Sequence, residues 1–228
     1  AEGVAKEDLF AEARRVVTWH YQFIILFDWV ERLCGEGTVR QILHQGRKFY
    51  CFKTKPYMPV EFAAAAYRLG HSMVRQTYNY NRIFENADFS RLFGFTGLSG
   101  QLIGDLAPED PSAPLPQPVL PSNWIIDWRR FYELDRPEGV PLNPSRRLDP
   151  LLVEELHDLP DEGGDLAFRN LKRGVLLGLP SGQDVAAAIG VTDPLTPDEI
   201  ATGRDGEVAR QQGLTEATPL WYYILKEA

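Results

Sequence analysis

The chain is poor in sulfur: 228 residues include two cysteines, Cys34 and Cys51, and two methionines. So few cysteines exclude a disulfide framework and a cysteine-rich metal site, while one bridge or two free thiols are equally allowed. Long apolar runs are also missing. The most apolar stretch, "VVTWHYQFIILFDWV" at 16–30, contains His20 and Asp28. It falls short of the roughly 20 residues that a membrane span needs and reads as a buried helix. Positive charge is in deficit, with 24 Lys and Arg against 32 Asp and Glu and a net charge of -8. That balance argues against a nucleic-acid backbone or an anionic membrane as the main partner, and the doublets Arg129-Arg130 and Arg146-Arg147 read as solvated faces. There is no internal repeat, glycine-rich phosphate loop, Gly-x-Ser-x-Gly elbow, His-Glu-x-x-His motif or strand-dominated region. What remains, 44% hydrophobic and 25% charged, is the composition of an ordinary globular protein.

The patterning is mostly α. Phe10, Ala13, Val16, Val17, Phe23, Ile24, Phe27 and Val30 recur at helical spacing and predict a helix over about 8–34, closed by Gly35. Pro59 and the alanines after it predict a second helix over 59–79. Six prolines in "APEDPSAPLPQPVLP" make 107–121 a surface loop or strap. A helix over 123–134 comes next, capped by Asn123, with Trp124, Trp128, Phe131 and Tyr132 as a core-facing stripe. Near the end the helix starts are legible: Ser181 to Asp184 opens 182–189, closed by Gly190, and the capping box Thr196 to Glu199 opens 197–203, with Leu195 and Ile200 as its staple. Thr218-Pro219 opens 219–228.

One of the four histidines stands apart. Around the helix at 100° per residue, Arg68, Tyr67, Ala64, Val74, Arg75 and Tyr78 fall within about 60° of His71, with Phe62, Ala66, Leu69 and Met73 opposite. Gly70 removes a side chain beside it, so that something flat can approach the backbone. Spacing allows two accounts: a histidine satisfied by a backbone carbonyl beside solvated arginines, or an axial ligand to haem iron beside arginines that neutralise propionates.

"EFAAAAYRLGHSMV" resembles the proximal-histidine helix of the animal-type haem peroxidase (peroxidase–cyclooxygenase) superfamily, in which a Phe- and Ala-rich helix runs into Arg-x-Gly-His. "RNLKRGVLLGLPSG" at 169–182 is similar to the family's later Asn-hydrophobic-x-Arg-Gly-Arg-Asp-x-Gly-Leu-Pro segment. "ARRVVTWHYQFIILFDWVERLCG", "NWIIDWRRF" and "TPLWYYILKEA" resemble further segments of its bacterial branch. The resemblance implies a multi-helix peroxidase-like fold, mostly α and incomplete, with residues 1–228 as the proximal part of a domain cut at both ends. It implies haem b, with His71 as the proximal iron ligand and Asn170 accepting a hydrogen bond from its other ring nitrogen. Arg68 and Arg173 match the arginines that approach the propionates.

The family's distal side, a histidine that moves the peroxide proton, an arginine that steadies charge, and a calcium site, belongs to upstream segments that do not occur in this chain. His20 lies in the wrong kind of helix for that part and reads as packed or hydrogen-bonded. Two departures are visible. Val175-Leu176 replace the family's Arg-Asp, and Arg68 stands where the fatty-acid-oxygenating branches carry a radical tyrosine. The implied activity is reduction of a peroxide through ferryl haem with oxidation of a small organic or halide donor. A fatty-acid dioxygenase using Tyr67 or Tyr78, and a helical scaffold that binds no haem, are the alternatives.

Overall fold

The computed structural model describes residues 8–35, 37–49, 53–88, 125–135, 137–159 and 164–228. The protein is mostly helical, with, among the described residues, a short antiparallel hairpin of β1 (Thr77–Tyr78) against β2 (Ala87–Asp88). The chain divides into two compact units, residues 1–57 and 58–228.

In the first unit a continuous helical path runs through α1 (Leu9–Ile24), a π-helical stretch (Ile25–Val30) and α2 (Glu31–Cys34), and stops at Gly35. The apolar stretch read as buried is not: among the described residues α1 and the π stretch bury no side chain, Trp19 is 71% exposed, and His20 is exposed rather than packed. Its helicity comes from local terms, such as the Phe23–Phe27 ring contact one turn apart at 4.5 Å. A further helix, α3 (Thr38–Phe49), lies between the two segments that the sequence predicts as helical. Cys34 is a free, exposed thiol, and Cys51 lies outside the described residues.

In the second unit the helix expected over 59–79 is broken. The chain forms α4 (Val60–Ala64), leaves helical geometry at Ala65 (φ −127°, ψ −68°), and continues as a 3₁₀-helix, Ala66–Met73, that ends where Val74 turns extended. Alanine propensity favours an unbroken α-helix. Tertiary packing overrides it: Ala65 is fully buried with Leu220, Trp221 and Leu225. The 123–134 helix is likewise reduced to one 3₁₀ turn, Trp128–Arg130, capped by Asp127 rather than Asn123, and Trp128 and Tyr132 remain more than half exposed instead of facing a core. Asn123, Trp124 and the proline-rich 107–121 lie outside the described residues.

The unit continues through a 3₁₀ turn, Glu154–Leu156, to α5 (Leu166–Leu176), α6 (Gly182–Ile189), α7 (Pro197–Ile200), α8 (Gly206–Gln211) and α9 (Leu220–Glu227). Ser181/Asp184 and Thr196/Glu199 form complete capping boxes, and Gly190 closes α6 at φ +77°, a left-handed conformation that suits glycine. Leu195 packs with Ala186, Ile200 and Tyr223. Leu69, Leu152, Leu171 and Leu179 pack around the Ala65–Leu220–Trp221–Leu225 cluster. At Gly182 a Cβ would stand 2.0 Å from Tyr223 Cγ, so this glycine is what lets α6 and α9 touch.

Candidate functional site

The 3₁₀ geometry changes which arginine accompanies His71. At three residues per turn, residues i and i+3 eclipse, so Arg68 stands directly over His71. Arg75 lies beyond the end of the turn and is spent elsewhere: its Nε donates to the Thr77 carbonyl at 3.2 Å and its Nη1 to the Pro144 carbonyl at 2.9 Å. Tyr78 has moved into the hairpin, where its hydroxyl accepts from the Arg75 amide and its ring stacks on Tyr80 and Phe131. Tyr67 is exposed and meets Phe62 rather than the histidine.

Asn170 arrives from 99 residues away. Asp165 caps α5, accepting from the Phe168 N–H at 2.8 Å and pairing with His157 Nδ1 at 2.7 Å. The helix so started buries Asn170 and sets its amide nitrogen 2.9 Å from His71 Nδ1. With the amide donating, the ring carries its proton on Nε2. Turned by 180° about its last side-chain bond the same amide accepts from Nδ1–H, and Nε2 is then a free lone pair. Burial, and then the Arg68 charge, push the His71 pKa down, so the imidazole is held neutral. A neutral imidazole is the form that binds metals.

Arg68 carries an orphaned polar atom. Its Nε is buried without a hydrogen-bond partner. Burial lowers its pKa, and the charges of Arg173 and Arg169 lower it further. Arg169 and Arg173, four residues apart on α5, flank Asn170; Arg169 escaped the sequence reading, although that spacing puts it on the Arg173 face. Trp221 of α9 escaped it too. Its indole N–H donates to the Arg68 carbonyl at 3.2 Å, and its ring meets the His71 ring edge-on with centroids 6.5 Å apart. No sequence pattern separates it from an ordinary core aromatic. A cleft of about 400 Å³ is lined by Ala64, Asn170, Gly174, Leu220 and Trp221, among others.

Fold and site together define a mostly helical protein organised around one neutral histidine, its ring held from two other helices and three arginine charges gathered nearby. The chain belongs to the animal haem peroxidase family, whose sequence profile matches residues 2–213. It is similar to a peroxidasin homolog, pxn-2, of Caenorhabditis elegans, at 26% identity over 233 positions that cover 94% of this chain and 15% of that protein. The chain thus spans a small part of that relative's length. No solved structure matches it.

Membership of the family implies haem, and the residues present fit that group in two respects. The orphaned Arg68 Nε, under the charges of Arg169 and Arg173, calls for an anion. A Cβ built at Gly70 would meet nothing within 4 Å, which leaves room for a flat group beside the histidine. Among the described residues no helix is long and apolar enough to cross a membrane.

Proposed function

We propose that this chain supplies the proximal side of a haem peroxidase. The observation that carries the reading is the His71–Asn170 contact of 2.9 Å, made by two motifs 99 residues apart. In this reading His71 Nε2 is the iron ligand. The Asn170 amide oxygen accepts a hydrogen bond from Nδ1–H and so makes the opposite nitrogen a stronger donor. Arg68 and Arg173 hold the propionate carboxylates, and Arg169 adds to their field. Bound haem supplies the redox chemistry that passes electrons from a small organic or halide donor to a peroxide. The protein's part on this side is to keep the imidazole neutral, oriented and basic. Proton movement at the peroxide, and the calcium expected beside it, belong to distal segments whose motifs this chain does not contain. Neither Tyr67 nor Tyr78 joins the site, so nothing favours the dioxygenase reading.

The test is a haem titration of the chain and of His71→Ala, followed in the Soret region. A saturable Soret shift that the variant loses is expected. Equal binding by both proteins would remove His71 from the iron, and binding by neither would favour the scaffold reading. Peroxide-dependent oxidation of a phenolic donor by a protein that carries both this chain and a distal segment tests the activity itself.

A further inference from the structure

We propose that Trp221 is a positioning residue for His71. Its functional consequence rests on the reading of His71 as the iron ligand, while its geometry does not. Asn170 meets the imidazole at a single atom, Nδ1. One hydrogen bond directs that atom and leaves the ring free to rock about it. The indole of Trp221 supplies the second restraint, since it meets the imidazole at an interplanar angle of 66°, the edge-on arrangement that aromatic pairs prefer.

The indole also grips the main chain from which the histidine departs. Trp221 Nε1–H donates to the Arg68 carbonyl at 3.2 Å. In a 3₁₀ turn that carbonyl faces the N–H three residues on, which is that of His71. One side chain therefore touches both the turn and the ring it carries. Trp221 is itself held firmly: it is 5% exposed and packed with Ala65, Leu220 and Leu225. The start of α9 is tied to α6, where the Gln183 side chain donates to Thr218 Oγ1 at 2.9 Å and accepts from the Thr218 N–H at 3.0 Å. The proton on the imidazole is governed from α5 through Asn170, and the plane of the ring from α9 through Trp221.

The test uses the whole chain and two readouts. Nitrogen-15 NMR of the ligand-free protein reports the His71 tautomer and the Trp221 indole N–H, and resonance Raman of the reduced haem complex reports the iron–histidine stretch. Trp221→Phe keeps an aromatic ring and removes the N–H. Ile200→Val trims the neighbouring core cluster, which does not include Trp221, and serves as the packing control. The expectation is that W221F mixes the His71 tautomers and broadens and shifts the iron–histidine band with haem still bound, and that I200V leaves both as in the parent. Parent-like tautomer and band in W221F, or equal changes in I200V, would overturn the proposal. The unmodified Trp221 gives a check that needs no change to the core: its indole N–H resonance is expected to shift in His71→Ala, and an unmoved resonance counts against the contact. If the parent complex lacks an iron–histidine band altogether, the iron-ligand reading fails, and the NMR of the ligand-free chain still decides whether Trp221 orients the ring.

Discussion

Helix α1 in the first unit and helix α9 in the second are built from similar material. Each mixes aliphatic residues, tryptophan and tyrosine at helical spacing with a few charges. Yet α1 buries none of its 16 residues among those described, whereas α9 buries Leu220, Trp221, Tyr223 and Leu225 of its eight. Apolar periodicity therefore says that a segment will coil and which stripe is apolar, and it does not say what covers that stripe. Helix α9 is buried on two sides, because Gly182 lets α6 approach Tyr223 and because Ala65 leaves α-helical geometry to pack with Leu220, Trp221 and Leu225.

Substitutions in the two helices and their partners test that contrast. The largest effect is expected at Leu225, 2% exposed: Leu225→Ala should lower the unfolding free energy by about 2–5 kcal/mol in urea denaturation. Gly182→Ala should come next, at about 1–3 kcal/mol, since its new methyl would have to displace the Tyr223 ring. Thr196→Ala removes one half of a capping box that feeds the second core cluster and should cost about 1 kcal/mol, read as a fall in the melting temperature.

A smaller, pH-gated effect is expected at Asp165. Burial pushes its carboxyl up, but the Phe168 N–H and His157 outweigh burial and bring its pKa below the ordinary value. A carboxyl depressed in the folded state adds stability above its unfolded pKa and loses it as the pH falls through the folded one. Asp165→Asn keeps a capping oxygen and removes the charge. It should therefore be less stable than the parent near neutral pH by no more than about 1 kcal/mol for so exposed a pair, with the difference closing below about pH 4. Parallel stability curves across that range would show that the ion pair contributes nothing. Smallest of all, Trp19→Gln in α1 should change stability by less than about 0.5 kcal/mol. A loss there as large as that of Leu225→Ala would erase the contrast between the two helices.

What could be read in advance divides along the same line. The helix starts at Ser181 and Thr196 were legible because each is written within four residues, and the structure forms a complete capping box at both, where the sequence named one only at Thr196. The pairing of His71 with Asn170 was legible only through a family resemblance, since no local pattern links two positions 99 residues apart. The 3₁₀ segment at Ala66–Met73 was not legible. Its alanines favour an α-helix, and the break at Ala65 is imposed by Leu220, Trp221 and Leu225 from the far end of the chain. That break decides the partners of the histidine, bringing Arg68 over it and releasing Arg75 to Thr77 and Pro144. Helix α5 was read as a motif rather than as an element, although Asp165 at its start is an ordinary cap. Trp221 could not be singled out, because its distinction lies in what it touches.

The π-helical stretch Ile25–Val30 has a consequence for lineage and for engineering. A π stretch holds a surplus residue within an otherwise α-helical ladder, the mark that a one-residue insertion leaves when the helix around it survives. Deleting one residue there should let the ladder close as plain α-helix and swing α1 by about 100° relative to α2. The heading of Phe10, Val17 and Trp19 is therefore set by a single unit of chain length, and it can be changed without altering any of those side chains.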